Sequence, residues 1–153
     1  MPTETVSAGD PNGIVTAMRF AGFEAELQTD EIGDPKIETD FGTGLGYIYF
    51  YGCDEGTNTG CDSVQFVAGL DRDTPMPFSM ISDLVKQKRF VAISLDDEGD
   101  PWMSWDVITD DGIPTTVFIK ALRLYADVLG DVADVVFAED SEQESYDNTN
   151  TAP

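Results

Sequence analysis

The sequence predicts an α+β domain in which a mainly antiparallel sheet of five to six strands packs against three helices. Segments with two-residue hydrophobic alternation and segments with helical spacing follow one another in the order α-β-β-β-β-α-β-β-α. Short turns rich in Gly, Asp and Pro join most neighbouring strands, which favours hairpins and antiparallel pairing. The length of 153 residues is typical of one domain.

The first half of the chain predicts one helix followed by four strands. Asp10 is a suitable N-cap, Pro11 suits the first helical position, and Ile14 and Met18 recur at helical spacing until Gly22 stops the helix. Alternation and β-propensity then predict strands at residues 23–28, 36–41, 47–51 and 63–70.

The second half predicts a helix, two strands and a long last helix. Residues 74–89 form the second helix, with Phe78, Ile81 and Val85 on one face, and residues 90–95 and 102–108 form strands. The last helix runs from Pro114 to about Ala138. Its apolar stripe comprises Phe118, Leu122, Tyr125, Leu129, Val132 and Val136. A wider arc adds Val117, Ala121, Leu124, Val128 and Val135, which covers the sheet alone or both the sheet and a partner.

Composition divides the chain into a short N-terminal extension at residues 1–9, a domain at 10–138 and an acidic tail at 139–153. We expect the tail to be disordered because it is polar and charged. No apolar run is long enough for a membrane span, so we expect no membrane insertion. The first ten residues lack a signal-peptide pattern, although the mature form of an exported protein with a start Met added would lack it too.

The charge balance argues against several functions. The chain has 8 Lys and Arg against 30 Asp and Glu, a net charge of −22, which opposes binding to nucleic acid or to anionic membranes. It has no His, the commonest catalytic base and metal ligand, and two Cys cannot complete a tetrahedral zinc site. We therefore expect neither catalysis nor a cofactor. A hydrolase using paired carboxylates stays an alternative without specific support.

Cys53 and Cys61 flank the loop of a predicted hairpin and lie roughly opposite each other. A disulfide is therefore geometrically reasonable, and it implies an oxidising compartment such as the periplasm. Free thiols in a cytoplasmic protein, or a redox pair, are the alternatives. The neighbouring carboxylates of Asp54, Glu55 and Asp62 would raise the thiol pKa values, which disfavours a redox pair.

Metal binding has weak candidates only. Asp54, Asn58 and Asp62 belong to an oxygen-rich loop that suits weak calcium binding at most. The acidic residues 96–100 lie between strands, and Gly99 comes too early for an EF-hand, so a tight polar turn explains them better. We predict no metal site.

Aromatic side chains are the stronger candidates for binding. Tyr47, Tyr49 and Tyr51 lie opposite Ile48 and Phe50 on their strand, and Trp102 lies on the more polar face of its own strand. Amphipathic aromatic residues suit protein recognition, whereas burial under a helix is the alternative. The protein-binding candidates are Tyr47, Tyr49, Tyr51, Trp102 and, on the last helix, Tyr125 and Leu129.

A series of short stretches resembles one known family, in the expected order over about residues 10–138. The stretches are Asp10-Pro11, residues 22–27, 49–53, 61–69 and 88–90, and the turn at 95–101. They are similar to the YbjN family of bacterial sensory-transduction regulators, whose fold is similar to type III secretion chaperones. Residues 82–87 depart from the family, because they lack its Asn-Trp-Asn-like segment. The resemblance implies an α+β domain with no established catalytic residues, and some members with paired cysteines resemble exported proteins.

Together these features predict a non-enzymatic module that binds an unidentified protein in a regulatory or chaperone-like role in bacteria. A homodimer through the last helix is a further arrangement to consider. The expected location is the periplasm or another exported compartment, with the cytoplasm as the alternative. The alternative function is an exported envelope protein that binds a small ligand or Ca²⁺ through the acidic loops.

Overall fold

The computed structural model describes the backbone of residues 2–150 and the side chains of residues 2–138. In this part of the chain the helices are α1 (Pro11–Phe20), α2 (Phe78–Gln87) and α3 (Thr115–Asn150). The strands are β1 (Thr5–Val6), β2 (Glu26–Thr29), β3 (Pro35–Asp40), β4 (Leu45–Tyr51), β5 (Ser63–Gly69), β6 (Ala92–Leu95), β7 (Pro101–Ile108) and β8 (Ile113–Pro114).

Six of these strands form one antiparallel sheet in the order β2-β3-β4-β5-β7-β6, and β1 pairs with β8 in a separate two-stranded sheet. The α+β class, the six-stranded sheet and the order of the main elements are confirmed. The two short strands escape prediction because two residues cannot show an alternating pattern. The strand order also holds a crossover: β7 lies beside β5, which leaves β6 at the edge.

The helices cover one face of the sheet and leave the other uncovered. Buried residues of all three helices and alternate residues of the central strands belong to one hydrophobic cluster. Phe66 of β5 contacts α3, with its ring centroid 5.7 Å from that of Phe118 and 5.5 Å from that of Tyr125. The domain is therefore built of two layers with one core between them.

The apolar stripe of α3 is the main helical contribution to the core. Its six predicted members are fully buried: Phe118, Leu122, Tyr125, Leu129, Val132 and Val136. None of the helices in the described part combines the length and hydropathy that a membrane-spanning helix requires.

The start of α1 agrees with the prediction. The Asp10 carboxylate accepts a hydrogen bond from the backbone N–H of Gly13 at 3.2 Å, and Pro11 occupies the first helical turn. Ile14 and Met18 are fully buried on the core side. Gly22 follows the helix with φ +94°, a conformation that favours glycine.

The N-terminal extension packs against the domain. In the N-terminal extension, Val6 and Ala8 are buried, and the backbone N–H of Ala8 donates to Thr109 Oγ1 at 2.8 Å. The extension therefore packs on the domain through β1.

The backbone of α3 continues to Asn150, past the end at about Ala138 that the sequence predicts. The side chains of the acidic tail at 139–153 lie outside the described part, so the disorder of the tail stays a prediction.

The face predicted for α2 is wrong in part. Phe78 is 80% exposed and Val85 is also exposed, whereas Ile81 and Leu84 are buried. The helix begins at Phe78, after Pro77, and not at residue 74. Phe78 therefore lies at the helix end, off the Ile81 and Leu84 face that meets the core.

The strand after α2 also begins later than predicted. Phe90 has φ +71°, which is incompatible with a strand, and β6 starts at Ala92. The Phe90 ring stacks on that of Trp105, with centroids 5.0 Å apart, and the Arg89 guanidinium lies 4.6 Å from the Phe90 ring centroid. The residue with positive φ, Phe90, thus packs its ring on Trp105 on the helix side of the sheet.

Two hairpin turns share one construction. In each, an aspartate, Asp30 or Asp96, accepts hydrogen bonds on Oδ1 from the amides two and four residues later, at 2.9–3.0 Å. A glycine with positive φ, Gly33 or Gly99, occupies the third position after the aspartate. The acidic run at 96–100 is therefore a hairpin turn, as the sequence favours, and its first carboxylate binds its own backbone.

Candidate functional site

The uncovered face of the sheet carries the aromatic residues that the sequence singles out. Along β4, Ile48 and Phe50 are buried in the core, and Tyr47, Tyr49 and Tyr51 point to the opposite side. Tyr51 is 49% exposed, whereas Tyr47 and Tyr49 are partly buried. The three tyrosines therefore face solvent, and burial under a helix does not apply to them.

Strand register extends this face over the centre of the sheet. Gln65 lies opposite Tyr49 and connects its neighbours: its Nε2 donates to Asp106 Oδ2 at 3.3 Å, and its Oε1 accepts from the Tyr51 hydroxyl at 3.5 Å. Two rows cross β4, β5 and β7: Tyr47–Val67–Ser104 and Tyr49–Gln65–Asp106. The face thus alternates aromatic surface with hydrogen-bonding groups.

Tyr47 and Tyr49 support each other. Their ring centroids lie 5.8 Å apart in a stacked arrangement, and Lys36 Nζ lies 4.9 Å from the Tyr47 ring centroid. Partial burial raises the pKa of Tyr49, against the smaller opposing effect of the Lys36 charge. Tyr49 therefore stays a neutral phenol at physiological pH and presents an apolar ring with a hydroxyl donor.

Trp102 is held in one position by two contacts. Its ring lies over Gly69, the residue opposite it on β5, where an added Cβ would approach ring atoms to 2.9 Å. Its indole Nε1 donates to Asp96 Oδ2 at 2.9 Å, and this hydrogen bond lowers the pKa of Asp96. The ring is still 40% exposed, so an outward-facing aromatic surface is fixed in place.

Tyr125 and Leu129 are not surface residues. Both side chains are fully buried between α3 and the sheet. The Tyr125 hydroxyl donates to the Met103 carbonyl at 2.7 Å, and the Tyr125 ring centroid lies 4.7 Å from that of Phe41. The prediction that they form part of a docking surface is wrong, because they belong to the stripe that covers the sheet. The exposed flank of α3 is formed instead by Val117, Leu124 and Val135.

Cys53 and Cys61 form a disulfide across the loop between β4 and β5. Cys61 is buried, and Cys53 packs against the same core. Inside the loop, the backbone N–H of Asp54 donates to the Thr59 carbonyl at 2.7 Å. The bridge therefore closes a hydrogen-bonded loop at the end of the tyrosine-bearing strand.

The calcium candidates in this loop do not converge. Asp62 Oδ1 accepts a hydrogen bond from Ser63 Oγ at 2.8 Å, the Asp54 side chain lies against Gly60, and Asn58 lies against Gly33 of another turn. Among the residues with described side chains, no group of three Asp, Glu or Cys is arranged to hold a metal ion.

A groove between α1 and α3 escapes the sequence prediction. Phe20 at its edge is 68% exposed, and the cavity has a volume of about 850 Å³. Its lining includes Ala17, Ile119, Leu124, Lys120 and Arg123. The available signal is Phe20 itself, a large apolar residue off the stripe that carries Ile14 and Met18.

The outward-facing groups of β4, β5 and β7 described above lie together on the uncovered face of the sheet. Fixed rings, the Gln65 amide and exposed carboxylates supply dispersion contacts, hydrogen bonds and charge, which are the means by which proteins recognise other molecules.

The comparisons with known proteins agree with the sequence resemblance. No curated protein matches the chain at a significant level. The model of the YbjN family, described as "putative bacterial sensory transduction regulator", matches residues 10–138. This range covers most of the chain and includes the six-stranded sheet, α1, α2 and the part of α3 that packs on it. The chain therefore belongs to the YbjN family.

Proposed function

We propose that this domain is a non-enzymatic regulatory module that binds another protein through the uncovered face of its sheet. The observation that carries the proposal is the set of aromatic side chains on the side of the sheet opposite the helices: Tyr47, Tyr49, Tyr51 and Trp102. We refer to this set with Gln65 and Val67 as the aromatic face.

The aromatic face has the properties of a recognition surface. Tyrosine and tryptophan are enriched at the energetic centres of protein interfaces, because they bury large areas and lose few rotatable bonds. Here the cross-strand pairing and the Trp102–Asp96 hydrogen bond hold the rings before a partner arrives. A pre-organised surface loses less conformational entropy on binding.

The disulfide supports an exported location for this function. A disulfide persists in oxidising compartments and is rare in the reducing cytosol. We propose that the protein acts in the periplasm or an equivalent compartment. Alkylation of free thiols in intact cells, followed by mass spectrometry, tests this: Cys53 and Cys61 should be unmodified before reduction. Complete alkylation without reductant would contradict the proposed location.

The binding proposal is tested by site-specific photo-crosslinking. A crosslinking amino acid replaces Gln65 in the centre of the aromatic face, and a matched variant carries it at Leu124 on the helix side. Captured proteins are identified by mass spectrometry, purified, and titrated against the unmodified domain. We expect a partner that crosslinks from position 65 and not from position 124.

The second step measures affinity with the purified partner. The Tyr49→Ala, Trp102→Ala double variant should bind at least about tenfold more weakly, since each residue resembles an interface anchor whose removal commonly costs more than about 1 kcal/mol. Phe20→Ala, an exposed aromatic change on the helix side, should leave the affinity unchanged. Equal binding by the double variant, or crosslinking from position 124 alone, would refute the proposed surface.

A further inference from the structure

We propose that the pocket between Trp102 and Tyr47 on the aromatic face receives an arginine or lysine side chain from a basic, extended segment of the partner protein. This inference rests on the proposed function, since it specifies the chemistry of the protein that the aromatic face binds. It is carried by the juxtaposition of aromatic rings and unpaired carboxylates on a sheet face.

The pocket is small and joins aromatic walls to carboxylates. Its volume is about 290 Å³, enough for one long side chain. Trp102 and Tyr47 contribute the rings, and Ala68, Gly69 and Leu70 contribute an apolar surface from β5 and the residue after it. Leu45 and four acids complete the lining, and the acids are Asp71, Asp96, Glu98 and Asp100.

Two of these acids are free to meet a cation. Asp100 Oδ1 accepts the backbone N–H of Arg72 at 2.8 Å, and Asp96 accepts from its own turn and from Trp102. Asp71 and Glu98 are exposed, and no described cation lies within ion-pair distance of either. The lining of the pocket contains no Lys or Arg, so an incoming positive charge would meet uncompensated negative charge.

The aromatic face already holds one cation of its own. Lys36 Nζ lies 4.9 Å from the ring centroid of Tyr47, which is the geometry of a cation–π contact. The indole ring of Trp attracts cations more strongly than the phenol ring of Tyr does. The contacts of Trp102 with Gly69 and Asp96 hold its exposed ring in place. A guanidinium of the partner that stacks on Trp102 would therefore form an intermolecular cation–π contact. This contact would resemble the intramolecular one between Lys36 and Tyr47.

The surroundings favour a peptide segment over a metal ion. No group of three acids in the described part converges as metal ligands do. From Tyr47, the row with Val67 and the adjoining row with Tyr49 and Gln65 continue the face beyond the pocket. An extended segment can thus place one cationic residue in the pocket while its neighbours contact these rows. The net charge of −22 would steer such a segment toward the domain.

The test uses synthetic peptides and the two indole N–H resonances of the chain. The probe is a Gly/Ser peptide with two arginines, compared with the same peptide carrying citrulline, which keeps the shape and loses the charge. Trp105, on the helix side of β7, is an internal control for Trp102. We expect the arginine peptide to shift the Trp102 resonance alone and to bind at least about tenfold more tightly than the citrulline peptide.

Variants distinguish binding of the peptide in the pocket from nonspecific electrostatic attraction to an acidic protein. Trp102→Ala and the Asp71→Asn, Glu98→Gln double variant should each weaken binding several-fold. Asp97→Asn removes an exposed charge from the same turn, outside the pocket lining, and should leave binding unchanged. The double variant keeps the test valid if Trp102→Ala impairs folding, which thermal unfolding would reveal.

Four outcomes would overturn the inference. One is equal binding of the citrulline peptide, and another is an effect of Asp97→Asn as large as that of the double variant. The third is binding of free arginine amide as tight as that of the peptide, which would identify a small-amine site instead. If position 65 crosslinks a partner and the arginine peptide does not bind, the proposed function stands and this inference fails.

Discussion

At the scale of single residues, Tyr125 connects the two layers of the domain. Its hydroxyl donates to the Met103 carbonyl in the centre of β7, and its ring is fully buried. Tyr125→Phe removes the donor and therefore the buried hydrogen bond between α3 and β7. We expect the free energy of unfolding in urea to fall by about 1–2 kcal/mol. Tyr51→Phe, at an exposed position, should change it by less than about 0.5 kcal/mol, and equal losses would contradict this role.

The same residue predicts a pH dependence. Burial raises the pKa of Tyr125 above the ordinary phenol value of about 10. The unfolded chain therefore loses this proton above about pH 10 while the folded chain keeps it, so stability falls as pH rises. The contribution is at most about 1.4 kcal/mol per pH unit. Urea unfolding between about pH 9 and about pH 11 should show a shallower decline for Tyr125→Phe, and parallel curves would exclude the effect.

Gly99 and Gly56 form a matched pair of turn residues. Their φ angles are +82° and +81°, so alanine is strained at either position. At Gly99 an added Cβ would also collide with Pro75, whereas nothing lies within 4 Å at Gly56. We expect Gly56→Ala to cost about 1 kcal/mol and Gly99→Ala at least about 1 kcal/mol more, by denaturant unfolding. Similar costs would show that the Pro75 contact relaxes without penalty.

At the scale of elements, the β4–β5 hairpin depends on its disulfide. The bridge joins residues 8 apart and closes a short loop. The chain-entropy relation gives about 2.5 kcal/mol for a loop of this size. The Cys53→Ser, Cys61→Ser double variant should lose about that much stability. Wild-type protein in a reductant should lose the same amount, and the variant should not respond to reductant. A loss below about 0.5 kcal/mol would mean that the loop is held by other contacts.

The helices α3 and α2 differed in how well local pattern predicted their buried faces. The α3 stripe is long and regular, and all six of its members are buried as the pattern indicates. The α2 helix has only 10 residues, and it buries Ile81 and Leu84 where the pattern indicates Phe78, Ile81 and Val85. Short elements carry too few periods to define a face, so their neighbours decide it.

At the scale of the whole molecule, the net charge of −22 destabilises the compact state through self-repulsion. The described ion pair between Lys88 and Asp131, at 3.6 Å, offsets little of it. Salt should therefore raise the thermal unfolding midpoint, by roughly 3 °C for each ~1 kcal/mol gained, between about 0.05 and about 1 M NaCl.

The control for this prediction separates screening from specific binding. NaCl and KCl should act equally, because both screen charge. A rise with millimolar Ca²⁺ beyond that of an ionic-strength match would contradict simple screening and favour the ion-binding alternative.

Local sequence pattern was sufficient to predict the α+β class, the order of the main elements and which residues of β4 and β7 share a face. It did so because alternation and helical spacing are local, and each reports which side of an element is apolar. The pattern therefore places Tyr51 and Trp102 on the more polar side of their strands, and it leaves open whether a helix covers that side.

Which apolar surfaces are covered depends on contacts between elements that are distant in the chain. Tyr125 and Leu129 were candidates as reasonable as Tyr49, yet the sheet covers them and nothing in the described fold covers the tyrosine face. The insertion of β7 beside β5 brought Trp102 over Gly69. These contacts join residues far apart in the chain, and their formation depends on strand pairing and on the competition among helices for one sheet face, which no local pattern records.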